Sequence, residues 1–148
     1  MMVNASAVQK VDLSGWRVVT GGARGIGKEI VMLFLKEGAS VYYMDIMEGD
    51  SLSEYRKIAQ EAGAGGTVTF KKTDVSNETE VNTRVKEIIS ESDGIDVLVN
   101  NAGHNVNAPM PAMKLDDYDS VAAIARGRLV YQDGIRIEKI STDRKSVV

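Results

Sequence analysis

Residues 20–27, Thr20-Gly21-Gly22-Ala23-Arg24-Gly25-Ile26-Gly27, decide the fold. They follow a short β-branched run, residues 17–20 (RVVT), which reads as a buried strand. They open a stretch in which Ile26, Ile30, Val31, Phe34 and Leu35 recur at helical spacing, so a helix is predicted over residues 25–36. Gly38 then stands where a glycine ends a helix. Between strand and helix the glycines have mechanical work. Gly21 permits a tight turn out of the strand, Gly25 lets the backbone approach a pyrophosphate, and Gly27 lets helix and strand pack closely. The helix start offers N–H groups and a partial positive charge to the phosphates. Glycines also serve ordinary loops, so the reading leans on what surrounds the turn.

Outward from this unit, strand and helix patterns alternate. A strand is expected over residues 39–44 (ASVYYM), a helix over 52–62 closed by a glycine-rich turn, and a strand over 67–73. Asn77 with Glu80 three residues later predicts a capping box that opens a helix running through Ile88 and Ile89. Residues 95–99 (IDVLV), apolar except for Asp96, suit a fourth strand buried on both faces. The series β-α-β-α-β-α-β over residues 16–100 predicts the α/β class, a doubly wound parallel sheet of the Rossmann type. Right-handed crossovers place its strands in the order 3-2-1-4.

Asp45 ends the second strand, eighteen residues beyond Gly27. An acid there can accept hydrogen bonds from ribose hydroxyls and would repel a 2′-phosphate, which favours NAD over NADP. Arg24 is the counter-signal, since a guanidinium in this loop could meet a 2′-phosphate. Asp45 carries more weight because it stands where the hydroxyls should lie.

With Thr20-Gly21-x-x-x-Gly25-x-Gly27 and Asn100-Asn101-Ala102-Gly103 after the fourth strand, the chain resembles the short-chain dehydrogenase/reductase family over about residues 11–124. Asp74-Val75 after the third strand and Asp93-Gly94-Ile95-Asp96 before the fourth are similar to that family as well. The resemblance implies hydride transfer between NAD and an alcohol or ketone, with a 3-oxoacyl thioester or small polyol as substrate. It implies a cofactor site of Gly21, Arg24, Gly25, Ile26, Gly27, Asp45, Asp74, Val75, Asn101, Ala102 and Gly103. In that site Asp74 and Val75 face the adenine, Asn101, Ala102 and Gly103 line the ribose side, and Asn100 braces the sheet.

The departures are as plain as the match. Family catalysis uses an Asn–Ser–Tyr–Lys set with Tyr and Lys four apart on one helix, because a nearby cation lowers the tyrosine's pKa for proton transfer. None of the five tyrosines here (Tyr42, Tyr43, Tyr55, Tyr118 and Tyr131) has Lys four residues later. Ala125 falls about where the catalytic Asn is expected. After Ile124 the resemblance stops. A loop over 104–113 holds both prolines, a short helix is predicted over 115–124, and residues 129–132 and 135–140 flank Asp133-Gly134, a hairpin signal. A hairpin does not continue a parallel sheet, so the fourth strand is expected to have an open edge that invites self-association. The organisation read from this is a flexible tail over 1–10, a dinucleotide-binding half-domain over 11–124 and an unrelated tail over 125–148. The expected molecule is a truncated or tail-altered oxidoreductase with no catalytic residues of its own. The alternatives are a non-catalytic dinucleotide-binding or interaction module and a shifted reading frame after Ile124.

Composition narrows the remaining classes. The 148 residues are 43% hydrophobic and 26% charged, ordinary for one domain with a core. Net charge is −3 with the cations scattered, which argues against nucleic acid as partner. Without cysteine there are no disulfides or thiolate metal sites, and the single His104 reads as a solvated loop residue. The acids Asp116, Asp117 and Asp119 read as a solvated helix face, and no metal site is expected. The polar first ten residues and the lack of any apolar run of membrane-spanning length point to a cytoplasmic chain without a membrane segment.

Overall fold

A computed structural model describes residues 15–92 and 94–103, residues 114, 116 and 119, and the backbone of 138–140. Its elements are β1 (Trp16–Thr20), α1 (Gly25–Lys36), β2 (Ser40–Asp45), α2 (Leu52–Ala62), β3 (Val68–Lys72), α3 (Glu78–Ser92), β4 (Val97–Val99) and β5 (Glu138–Ile140). They form one parallel sheet in the order β3-β2-β1-β4-β5. The predicted order 3-2-1-4 is therefore found, with one strand added.

Both sheet faces are covered because each central strand is apolar on both sides, as the period of two in a strand requires. Val19, Val41 and Tyr43 face Val31 and Leu35 of α1 and Tyr55 and Ala59 of α2. Val18, Tyr42, Met44 and Leu98 face Val81, Val85 and Ile88 of α3. Aromatic pairs fill each layer: Tyr43 meets Tyr55 edge-on at 5.3 Å, and Trp16 stacks on Tyr42 at 4.9 Å.

Element ends follow local chemistry. Helix α1 gives way at Glu37 to Gly38, whose positive φ an L side chain rarely adopts. The start of α3 uses half of the expected capping box. The Asn77 Oδ1 accepts the N–H groups of Thr79 and Glu80 at 3.1 and 3.2 Å. The Glu80 carboxylate, however, accepts the N–H of Asp74 at 2.9 Å, while the N–H of Asn77 goes to the Asp74 carbonyl. Strand β4 starts at Val97, two residues later than the sequence predicts. The Asp96 side chain accepts the Trp16 N–H at 2.7 Å and lies 3.7 Å from the Arg17 guanidinium, tying the two strand starts together.

The expected open edge on β4 is a correction. Glu138–Ile140 lies parallel to β4 in the register Val97 to Glu138, Leu98 to Lys139 and Val99 to Ile140. Three residues suffice to pair the ladder of a three-residue strand. The hairpin's other arm, 129–132, lies outside the described residues, as do Tyr118, Tyr131, Ala125 and His104; of the helix expected over 115–124, the described Asp116 and Asp119 are helical. Among the described residues, no helix is long and apolar enough to cross a membrane.

Candidate cofactor site

The C-terminal ends of β1, β2 and β4 and the loop after β3 enclose a cavity of about 150 Å³. Gly21, Arg24, Met44, Asp45, Ile46, Thr73, Asp74, Val75, Ala102 and Gly103 line it. Seven of these were expected from sequence: Gly21, Arg24, Asp45, Asp74, Val75, Ala102 and Gly103. Gly25, Ile26, Gly27 and Asn101 are placed around it without lining it. In a doubly wound sheet this is where the strand order reverses and a crevice opens beyond the strand ends.

The glycine turn is built as its spacing requires, with a different duty at each position. Gly21 has φ +68°, and a Cβ there would lie 2.9 Å from the Ala102 Cα. Gly27 is buried, and a Cβ would collide with the Gly21 carbonyl and stand 2.6 Å from the Asn101 amide. Gly25 differs: with φ +58° its Cβ position meets nothing within 4 Å. The close packing therefore belongs to Gly21 and Gly27, and the open approach to Gly25. Ile26, next in α1, is 75% exposed. The first turn of α1 has no acidic side chain, and Arg24 precedes it, so this end is positive.

The segment 101–103 is stitched to β1. The N–H groups of Asn101 and Ala102 donate to the Thr20 hydroxyl at 3.0 and 2.9 Å, and that hydroxyl donates to the Val99 carbonyl. The Asn101 amide donates to the carbonyls of Thr20 and Gly21 at 3.1 and 3.3 Å. The Asn101 side chain thus turns toward the glycine turn and braces it against β1.

Asp45, half-buried at the end of β2, is a hub. One carboxylate oxygen accepts the Ala23 N–H at 3.1 Å and the other accepts the Ile46 N–H at 2.8 Å. Its backbone carbonyl accepts the Thr73 N–H, which draws the loop after β3 beside it. There Asp74 closes an Asx turn, accepting from the Ser76 N–H and hydroxyl.

Sequence reasoning missed Met44, Ile46 and Thr73, which line the cavity because they neighbour Asp45 and Asp74 along the chain. It also missed Ser51 and Tyr55, whose hydroxyls donate to the carbonyls of Ala23 and Gly22 at 3.2 and 2.5 Å. A serine before a helix signals an N-cap, yet Ser51 makes no cap hydrogen bond and turns to the glycine loop instead. Burial pushes the Tyr55 hydroxyl up to about 12, so it is a neutral donor at ordinary pH.

The family described as short chain dehydrogenase matches residues 16–126. The chain belongs to that family. It is 37% identical over 114 residues to a 3-oxoacyl-(acyl-carrier-protein) reductase of Chlamydia pneumoniae, covering 77% of this chain and 45% of that protein. It is 34% identical over 107 residues to a glucose 1-dehydrogenase of Gluconobacter oxydans, covering 72% of this chain and 40% of the other. Among solved structures, the 3-oxoacyl-(acyl-carrier-protein) reductase of Brucella melitensis, in complex with NAD, superposes with a TM-score of 0.67 at 30% identity, over 77% of this chain and 44% of that one. A short chain dehydrogenase from Mycobacterium smegmatis gives 0.66 at 31%, over 76% and 47%. This short-chain dehydrogenase chain spans less than half the length of the curated relatives it matches.

Proposed function

We propose that this chain binds NAD as the cofactor part of an oxidoreductase acting on an alcohol or ketone, with a 3-oxoacyl thioester or a small polyol as substrate class. The observation that carries the reading is a single cavity joining the glycine turn, the Asp45 carboxylate and the ends of β1 and β4. Its residues fit the group. The free space over Gly25, beside Arg24 and the positive end of α1, suits a pyrophosphate. Asp45 spends one lone pair of each oxygen on backbone N–H groups, and a carboxylate oxygen can accept again. It can therefore hold ribose hydroxyls while keeping the loop in place, and its charge opposes a 2′-phosphate. Asp74 and Val75 then border the adenine, and Ala102 and Gly103 the ribose on the other side. When bound, the nicotinamide would supply the hydride chemistry, accepting a hydride from an alcohol when oxidised or giving one to a ketone when reduced. No tyrosine in this sequence has lysine four residues on, which supports a binding role for the chain alone.

Calorimetry with both cofactors tests the assignment. NAD(H) should bind at least tenfold tighter than NADP(H), about 1.4 kcal/mol. Equal or reversed affinities would remove Asp45 from its role. The same protein should show no hydride transfer above background with a panel of alcohols and ketones. Turnover that persists on repurification and vanishes in Gly25→Val would overturn that expectation.

A further inference from the structure

The geometry points to Tyr55 and Ser51 of the α2 segment as positioning residues that hold the phosphate turn in its binding shape before any ligand arrives. This rests on the dinucleotide reading above and adds to it residues 51–55, which lie outside the glycine turn and the Asn-Asn-Ala-Gly segment. The peptide unit between Gly22 and Ala23 is held at both ends: its carbonyl accepts from the Tyr55 hydroxyl at 2.5 Å, and its N–H donates to Asp45 at 3.1 Å. The carbonyl of the next unit accepts from Ser51 at 3.2 Å, so the Arg24 N–H of that planar unit is turned the opposite way. Three side chains thus fix two successive peptide planes immediately before the start of α1.

Packing leaves the holders little freedom. Tyr55 is fully buried with its ring edge-on to Tyr43, and Ser51 is buried beside Ala23. A Cβ on Gly22 would stand 2.6 Å from the Tyr43 Cβ, so the turn lies directly against this aromatic layer. A turn with glycine at positions 21, 22 and 25 is costly to order in backbone entropy. Ordering it in the free protein removes that cost from the binding step, which is where preorganisation raises affinity. The effect should be confined to the part of the ligand that meets the turn, the pyrophosphate.

The test compares ADP with adenosine on the full chain, using wild type, Tyr55→Phe, Ser51→Ala and a control, Tyr42→Phe. The control also loses a hydroxyl hydrogen bond, to Glu91 at 3.1 Å, on the opposite sheet face. Affinities are measured well below each variant's melting temperature. Tyr55→Phe and Ser51→Ala should weaken ADP roughly three- to tenfold, the worth of one hydrogen bond. Adenosine should stay within about twofold, and Tyr42→Phe should bind both ligands as wild type does. If Tyr55→Phe does not fold, Ser51→Ala decides. An unchanged ratio of ADP to adenosine affinity in the variants, whatever their melting temperatures, overturns the positioning role while leaving the dinucleotide reading intact. A wild-type chain that binds neither ADP nor NAD overturns both.

Discussion

Gly25 and Gly27 lie two residues apart and do opposite things, and substitution should separate them. Gly27→Ala places a methyl against the Gly21 carbonyl and the Asn101 amide, neither of which can withdraw without breaking the stitch to β1. It should cost about 1–3 kcal/mol or more in stability, read as a lower urea midpoint. A Cβ at Gly25 meets nothing within 4 Å, so the main folding cost of Gly25→Val is that of a β-branched side chain at φ +58°, about 1–2 kcal/mol or more. Its main effect should be loss of NAD binding, because the side chain enters the space the pyrophosphate needs. A folded Gly25→Val chain with wild-type NAD affinity in calorimetry would remove the turn from the site. Asp45 has a structural duty beside its place in the cavity. Because it also holds the Ala23 N–H, Asp45→Ala should weaken NAD and NADP together rather than exchange one for the other.

Helix α3 shows how an element's start depends on residues outside it. Asn77 satisfies two N–H groups that the first turn leaves without helical partners. Asn77→Ala should therefore cost about 1 kcal/mol, measured by urea denaturation, with NAD affinity unchanged. A neutral substitution would mean that water replaces the cap at no cost. Glu80 was legible as the second half of a capping box, but it reaches the Asp74 N–H and so ties the helix start to the loop bordering the cavity. Most element positions were legible because apolar spacing reports which face is buried. Strand ends were less so: just before β4 the Asp96 N–H donates to the Trp16 carbonyl while its side chain accepts the Trp16 N–H, a partner 80 positions away that no local pattern reveals.

At the scale of the molecule, both sheet faces are covered and three tyrosines lie within the two packed layers. Burial, with help from Glu91, pushes Tyr42 up to about 12; burial does the same for Tyr55 and drives Tyr43 upward as well. An unfolded tyrosine titrates near 10, so below about pH 10 both states hold the proton and stability is unaffected. Above it the unfolded chain releases protons first, and stability falls between pH 10 and about 12. Tyrosinate absorbance from these residues should rise only together with the fluorescence change of Trp16, the single tryptophan, stacked on Tyr42. Titration of all five tyrosines near pH 10 in a chain that stays folded would contradict the packing. NAD should raise the melting temperature, with about 2.7 kcal/mol of added stability at a hundredfold excess over its dissociation constant. A melt indifferent to NAD would contradict the cofactor proposal.

The glycine spacing, the acid at the end of β2 and the alternation of apolar periods were enough to name the sheet order, the family resemblance and seven of the residues that meet in the cavity. These features are local, and short stretches of chain carry them because turn geometry and burial periodicity are properties of neighbours in sequence. Only the tertiary structure could assign Tyr55, Ser51 and the Asn101 amide to the glycine turn, since each reaches across 28 to 81 positions to a backbone carbonyl that no side-chain pattern marks. The same holds for β5. Residues 138–140 carry a charged pair and one apolar residue, and what makes them a strand is the ladder edge that β4 presents. Backbone hydrogen bonding is indifferent to side-chain identity, so pairing of that kind is decided by what the fold brings alongside.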